Sequence, residues 1–521
     1  MTEKKSEVMD KDAELLATLG YKQDFKRNFS RVELFGIGFS IIGVFPSVAG
    51  VLIFAIPYGG PAAMVWGWTV CGVFIMCIAA TIAELGSAAP TAGGLYYWAY
   101  RYAPPRFQNL LCWLVGYWIT VGYAVATTAV TWACATSLMA GASIGSDFTY
   151  IPTIGHTYGA FVALIIAQLL MSTLPSSIVA QLQKVYIALN ITVCLGVIIA
   201  LPISTPSENI NTGHFVFGTF VNLSGWPDGF AFILSFLSPL WTIAAFDAPT
   251  HISEEASNAS YAVPFATISS PAVSIVLGWG LNVALAFCMG SDLDSIVEMR
   301  LDSRWLRFGK RGTLAVWAFT IMVQFFMGVG IMTASARLTW AFARDGALPL
   351  SKYVSRLNPV TGTPTYAGIL TATVAISVGL LVFAGQAAST ALFSASLAGL
   401  YITLITVIMT RFLGGVEWVP GPFSLGRFSK PIAGIAVVFM ALILVIFCFP
   451  SNPGPDAMDM NYSALLLGGY FLITLGSYYC PVYGGKYWFR GPVNNLTSSS
   501  DMSGSESGSE KDSASADARV V

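Results

Sequence analysis

The chain has 521 residues, 55% of them hydrophobic and only 10% charged, with a formal net charge of -1. Soluble domains carry roughly 25% charged residues, so an ordinary globular enzyme is excluded and the long apolar stretches place the chain in the membrane class. Nucleic-acid binding is excluded as well, because no basic stripe exists outside the N-terminal residues.

Residues 1–33 are charged and polar and lack the apolar core of a signal peptide. They are expected to form a cytosolic tail. A hydrocarbon layer about 30 Å thick needs roughly 20 apolar helical residues. Such runs fall near 34–57, 62–84, 108–140, 158–174, 183–203 and 229–248, and again near 264–289, 312–342, 365–385, 389–411, 431–449 and 463–481. The expectation is an all-α integral membrane protein with about twelve transmembrane helices occupying 34–490.

Lys and Arg set the orientation. They are dense in the N-terminal tail and follow the even-numbered spans, as at Arg101, Lys184, Arg344, Arg411 and Lys486. Segments 141–157, 202–228, 384–390 and 450–462 contain neither residue. Both termini are therefore expected in the cytosol. Segment 290–311 breaks the pattern with five basic and four acidic residues, and reads as a small amphipathic outer helix neutralised by its own acids. Residues 491–521 are rich in Ser, Gly, Asp and Glu and are expected to be a disordered cytosolic tail. Asn222-Leu-Ser224 is a glycosylation sequon expected on the outer side. The eight cysteines fall in or beside apolar runs without a Cys-x-x-Cys pair, and read as small buried hydrophobes.

Two spans carry helix breakers in the middle. Gly43 and Pro46 interrupt span 1, where Ser47 adds a hydroxyl; Pro239 interrupts span 6, where Thr242 stands by to satisfy a freed carbonyl. Each opens a block of five spans, and matched interruptions in two repeats point to a transporter's midplane site. Opened turns offer N–H groups to a carboxylate and C=O groups to an ammonium. Small residues that merely let helices approach would leave the same Gly and Pro pattern.

Charges inside spans are few, and each is a candidate for gating or proton coupling. Asp247 lies toward the inner end of span 6, Glu84 ends span 2, and Arg337 sits late in span 8. Snorkelling to the interface is the alternative for each. Glu254 and Glu255 lie just beyond span 6 and are expected to be solvated. Trp241 is placed to cover a bound cation. Tyr117, Trp118, Gln324, Phe325, Ser394 and Ser396 are weaker candidates on spans 3, 8 and 10. The histidines, His156, His214 and His251, fall in expected loops, too scattered for a metal. No catalytic constellation and no phosphate-binding loop occur, so neither an enzyme, a cofactor nor nucleotide-driven pumping is expected.

Several stretches resemble the amino acid–polyamine–organocation superfamily, and within it the fungal γ-aminobutyrate, choline and amino acid permeases. They are Leu19-Gly-Tyr-Lys22, Arg27-Asn-Phe-Ser30 and Phe39-Ser-Ile-Ile-Gly43; the run from Ala83 to Tyr96; Phe246-Asp247 with Ser253-Glu-Glu-Ala-Ser-Asn258; and Ala343-Arg-Asp-Gly-Ala-Leu-Pro349. The resemblance spans about residues 19–490.

It implies a five-plus-five inverted-repeat fold, with repeats at about 34–203 and 229–411 and peripheral helices within 431–481. It places substrate between the opened turns of spans 1 and 6, with help from spans 3, 8 and 10. Ile42, Gly43, Val44 and Ser47 then line one side. Trp241 falls at a gating aromatic position, beside Thr242, and Ala244, Ala245 and Phe246 fall at the second turn. Asp247 stands where many relatives have Glu. Span 1 departs from the compact Gly-Ser-Gly of many bacterial members, with Gly43-Val-Phe-Pro-Ser47 in its place.

The expected function is secondary active transport by alternating access, proton-coupled, across the plasma membrane in preference to the vacuole. γ-Aminobutyrate or another amino acid is the leading substrate and choline or a polyamine the alternative. Choline would favour an aromatic cage of Trp241 and Phe246. A channel or a nutrient-sensing transceptor is the reading from a different class.

Overall fold

Inside a bilayer every backbone N–H and C=O has to be satisfied by the protein, which leaves helix as the outcome for an uninterrupted apolar run. The computed structural model describes residues 11–293, 309–456 and 460–493. Among them, ten helices are long and apolar enough to cross a membrane. Two further spans complete the expected dozen: a shorter apolar helix, Ser463–Tyr479, and a span split into pieces between 228 and 251. The chain is a multi-pass membrane protein.

In chain order, α1 is Arg31–Ile42 and α2 is Val44–Val51, which together make span 1. Span 2 contains α3, Trp68–Ala88, and is followed by the short α4, Leu95–Tyr102. Spans 3, 4 and 5 are α5 (Gln108–Gly145), α6 (Ile154–Ser172) and α7 (Ser176–Ser204). Span 6 is α8 (Asp228–Leu234) and α9 (Leu237–Thr242), with a detached turn, α10 (Ala248–His251), beyond the break. Spans 7 to 10 are α11 (Ala259–Cys288), α12 (Gly309–Arg344), α13 (Thr365–Gly379) and α14 (Gln386–Leu413). The last two are α15 (Ser429–Ile446) and α16 (Ser463–Tyr479).

The two most extensive packing pairs join spans five places apart, α12 on α5 and α11 on α3, and α9 lies on α2 with the same offset. That offset is what two five-span repeats facing one another produce. Lipid supplies no hydrophobic drive between helices, so close backbone approach does the work. A Cβ at Gly278 of α11 would sit 2.1 Å from the Trp68 ring of α3, so only glycine lets that ring lie flat on the neighbouring helix.

The N-terminal segment packs onto the membrane bundle. Residues 11–30 are docked against the end of the bundle, with Leu16, Tyr21, Phe25 and Phe29 buried. Phe29 exchanges backbone hydrogen bonds with the chain at Glu255 and Ser257, at 3.0 and 2.8 Å. The Asp12 carboxylate accepts from the Asn258 and Ala259 amides at 2.6 and 3.1 Å and so caps α11 from outside. The apolar anchors are too widely spaced to read as a span, and the charges between them conceal the docking. We call this the termini end, since Val493 also reaches it.

Most of the outer segment 290–311 and nearly all of 491–521 fall outside the described residues. Asn222 pairs with Tyr58 in a two-stranded ribbon, and its amide donates to the Trp226 carbonyl and Asp228. Five cysteines are buried, whereas Cys77 and Cys448 are half-buried and Cys480 is exposed at a helix end, so the uniform buried reading does not hold for those three.

Candidate functional site

Span 1 breaks where expected. Gly43 has φ +47°, a left-handed conformation that glycine adopts without a Cβ penalty. The break separates α1 from α2, and the Ser47 hydroxyl donates to the Ile42 carbonyl at 2.7 Å, satisfying one acceptor that the break exposes. Span 6 breaks later than Pro239 suggests. Pro239 lies inside α9, and the open stretch is Ile243–Asp247, with Ala245 at φ +54°. Proline lacks its own N–H but tolerates the first turn of a helix, and α9 begins only two residues earlier.

A cavity lies between the two breaks. Ile41 and Ser47 line it from span 1, and Trp241, Thr242, Ala244 and Ala245 from span 6. From α5 come Trp118, Ile119, Gly122, Tyr123, Ala126, Ala129 and Val130. Met327 and Ile331 of α12 and Ser396, Leu397 and Leu400 of α14 close it. Spans 1, 3, 6, 8 and 10 thus contribute together. Among the described residues the lining contains no charged side chain. Its polar resources are a few hydroxyls, the aromatic N–H and O–H groups, and the ends of the interrupted helices. A helix start offers N–H groups to an anion, and a helix end offers C=O groups to a cation.

The candidate substrate residues divide. Ser47, Trp241, Thr242, Ala244 and Ala245 face the cavity, as do Trp118 and Ser396. Ile42, Val44 and Phe246 are buried beside it without lining it, and Gly43 packs on Met327. Tyr117 points to the termini end, where its hydroxyl donates to the Ala347 carbonyl at 2.8 Å. Tyr123 carried no sequence signal. It stands on a long apolar helix without periodic polarity, and only the packing of α5 turns it toward the break.

The candidate charges occupy three places. Glu84 accepts from Arg411 (2.7 Å), Ser429 (2.7 Å), Ser424 (3.0 Å) and the Leu425 amide (3.2 Å), away from the cavity. Arg337 donates to Glu255 at 2.8 Å, with both side chains 1% exposed. Asp247 is buried at the end of the open stretch, 3.4 Å from His251.

Two expectations are corrected here. Glu254 and Glu255 are buried, not solvated. Glu254 forms a two-pronged pair with Arg344 at 2.9 and 3.1 Å and accepts from the Ala92 amide at 3.1 Å. Their burial follows from the docked N-terminal segment, which roofs a surface that would otherwise face water. His251 is not in an open loop. It ends α10, is fully buried, and lies 3.0 Å from the Ala92 carbonyl.

These pairs form a layer between the cavity and the termini end. At 1.5 Å per residue, Arg337 lies about 9 Å along α12 from the cavity residue Ile331, and Arg344 about 20 Å. Beneath Arg344, Asp345 accepts from Tyr96 at 2.8 Å and Tyr21 at 3.1 Å, and from the Val493 amide at 3.3 Å. Burial pushes the Asp345 carboxyl up to about 6, against the opposing pull of Arg344 and these hydrogen bonds. Burial and the Asp345 charge likewise raise the Tyr21 and Tyr96 hydroxyls well above their ordinary value. The Arg344 guanidinium stacks over the Tyr21 ring at 4.0 Å.

Comparison with known proteins identifies the family. Residues 29–471 match the family described as "Amino acid permease". The chain is 37% identical over 497 residues to the GABA-specific permease of Saccharomyces cerevisiae, covering 93% of this chain and 86% of that protein. It is 34% identical over 494 residues to an uncharacterized amino-acid permease of Schizosaccharomyces pombe, covering 94% and 89%. It is 30% identical over 519 residues to the amino-acid permease BAT1 of Arabidopsis thaliana, covering 94% and 98%. A membrane bundle with two opened spans around one cavity, matched along nearly its whole length by permeases, belongs to the amino acid permease family of the amino acid–polyamine–organocation superfamily.

Proposed function

We propose that the chain is a proton-coupled secondary transporter of γ-aminobutyrate or a closely related amino acid, working by alternating access at the plasma membrane with its termini end in the cytosol. The observation that carries this reading is the uncharged cavity set between two opened spans. A zwitterion brings its own two charges, and opposed helix ends meet both without burying a counter-charge that would be unpaired when the site is empty. The resemblance to a γ-aminobutyrate-specific relative supports the substrate. The scarcity of Lys and Arg in the segments at the other end supports the orientation.

The buried pairs Arg337–Glu255 and Arg344–Glu254 act as the cytosolic gate, shut in the arrangement described. Of the two candidate proton acids, the geometry supports Asp247. It adjoins the opened turn, whereas Glu84 is held by four donors elsewhere.

Choline is the second reading, because Trp118, Tyr123 and Trp241 line one cavity and aromatic faces attract a quaternary ammonium. The cage is not the expected one, since Phe246 does not line the cavity. The test is uptake of labelled γ-aminobutyrate in permease-deficient yeast expressing the chain, with amino acids, choline and spermidine as competitors. Saturable uptake displaced by amino acids supports the proposal. No uptake from cells with verified surface protein refutes γ-aminobutyrate as substrate, and choline uptake by the same cells would establish the second reading.

A further inference from the structure

The buried end of the broken span holds an arrangement that is one proton short. His251 is fully buried, and its Nδ1 lies 3.0 Å from the Ala92 carbonyl oxygen. A carbonyl only accepts, so Nδ1 carries the hydrogen and the neutral ring has a bare Nε2. That bare nitrogen faces the Asp247 carboxylate, with Nε2 and Oδ2 3.4 Å apart. Among the described residues neither atom has a hydrogen-bond partner, and both are shut off from solvent. Two acceptors facing each other in a dry site repel. One added proton turns that contact into an Nε2–H···Oδ2 hydrogen bond between an imidazolium and a carboxylate.

Tyr123 links this pair to the cavity. It lines the cavity, stacks edge-on against the His251 ring at 5.2 Å, and turns its hydroxyl toward Asp247 without reaching hydrogen-bond geometry. On the other side, Ala92 links the pair to the gate. Its carbonyl meets His251, and its amide donates to Glu254, which holds Arg344. One continuous set of contacts therefore runs from cavity to gate.

We propose that His251 and Asp247 together form the coupling-proton site, with the imidazole Nε2 as the atom that takes up and releases the proton. The proton arrives from the cavity side past Tyr123, adds to the Nε2 lone pair, and draws the ring and carboxylate together. It leaves toward the cytosol when Glu254 and Arg344 part. Only the N–H bond forms and breaks, and no other reactant is needed. The surrounding groups are Tyr123 on α5, Arg337 and Arg344 on α12, and Glu254 and Glu255 after α10. The stretches of α1 and α11 against α10, around Gly38 and Ser270, bring no ionisable side chain. Both arginines already have a carboxylate partner, so neither replaces the missing proton.

The inference rests on the proton-coupled reading above, and the experiment separates the two. The full-length chain is reconstituted in vesicles, and labelled γ-aminobutyrate is followed under an imposed pH step and, separately, by counterflow without one. If the wild-type protein shows counterflow but no response to the pH step, proton coupling itself is wrong. If it responds, His251→Gln is expected to lower pH-driven accumulation at least tenfold relative to counterflow in the same vesicles. A ratio equal to that of the wild type overturns the role of His251.

A second measurement guards against loss of folding in that variant. The protein has three histidines, of which His156 and His214 are exposed. In the His156→Gln/His214→Gln background, an isotope-labelled imidazole reports His251 alone. A resonance that reports a change of protonation state and shifts with added γ-aminobutyrate is expected. A ring that keeps one protonation state throughout, with and without the solute, overturns the proposal.

Discussion

Arg337 of α12 and Glu255 beyond α10 lie 2.8 Å apart with both side chains 1% exposed, so a full ion pair sits inside the protein between the cavity and the termini end. Arg337 also donates to the Ser172 carbonyl at 3.3 Å, which ties the end of α6 to the same point. Removing one partner leaves an uncompensated buried charge, at a cost of about 3–5 kcal/mol. Arg337→Ala is therefore expected to lower folded yield and thermal stability sharply. The double variant Arg337→Ala/Glu255→Ala should recover much of the loss, because no charge is left unpaired. Melting in detergent, read for both singles and the double, checks this; strictly additive losses would show that the two side chains are not coupled.

Glu84 and Arg411 test a different role. Glu84 carries four donors and joins α3 to α14 and to the start of α15. Glu84→Gln should cost folded protein, while transport by the remaining folded fraction keeps the wild-type dependence on pH. Uptake normalised to surface protein and measured from pH 4.5 to 7.5 decides it. A flattened profile would make Glu84 a proton site after all.

Gly43 is constrained twice. Its φ of +47° costs a residue with a side chain about 1–2 kcal/mol, and a Cβ would lie 2.1 Å from the Met327 sulfur. Gly43→Ala is expected to reduce uptake severalfold, with an altered KM because Met327 lines the cavity. Adding Met327→Ala removes the clash but leaves the backbone strain, so partial rescue is the expected result. No rescue would mean that the left-handed turn alone sets the loss.

Asp345 ties stability to pH. Its carboxyl is raised from 3.8 to about 6, so the folded state holds the proton more tightly than the unfolded chain does. The associated stabilisation is complete below the unfolded value and is lost as pH rises through about 6, a span worth about 3 kcal/mol. Acidification from pH 7.5 to 5.5 should therefore stabilise the folded protein by neutralising a buried carboxylate, even though it weakens the hydrogen bonds that Tyr21 and Tyr96 donate to it. Asp345→Asn should raise the melting temperature at pH 7.5 and remove this acid-side gain. Comparing wild type and variant at each pH isolates the contribution, and parallel curves would contradict it.

Much of the bundle is visible in the residues alone. The expected span at 264–289 became Ala259–Cys288, and that at 365–385 became Thr365–Gly379 with a continuing turn to Ala384. Long apolar runs have one way to satisfy their backbone in lipid, and that solution is local. The break at Gly43 is equally local, because glycine alone adopts that conformation freely. The break in span 6 is not. Ala245 takes a left-handed φ without being glycine, so the surrounding contacts, not the residue type, hold the turn open.

Hydropathy, charge asymmetry and helix breakers thus determined the membrane class, the span count and one half of the opened site, since each depends on neighbours within a few residues. Tertiary structure alone decided which polar groups meet. It buried Glu254 and Glu255 under residues 11–30, set Tyr123 at the cavity, and brought His251 to 3.0 Å from the Ala92 carbonyl on a turn that reads as loop. The physical reason is that a charge's environment is fixed by the chain packed over it, and here that chain is more than 200 residues away in sequence.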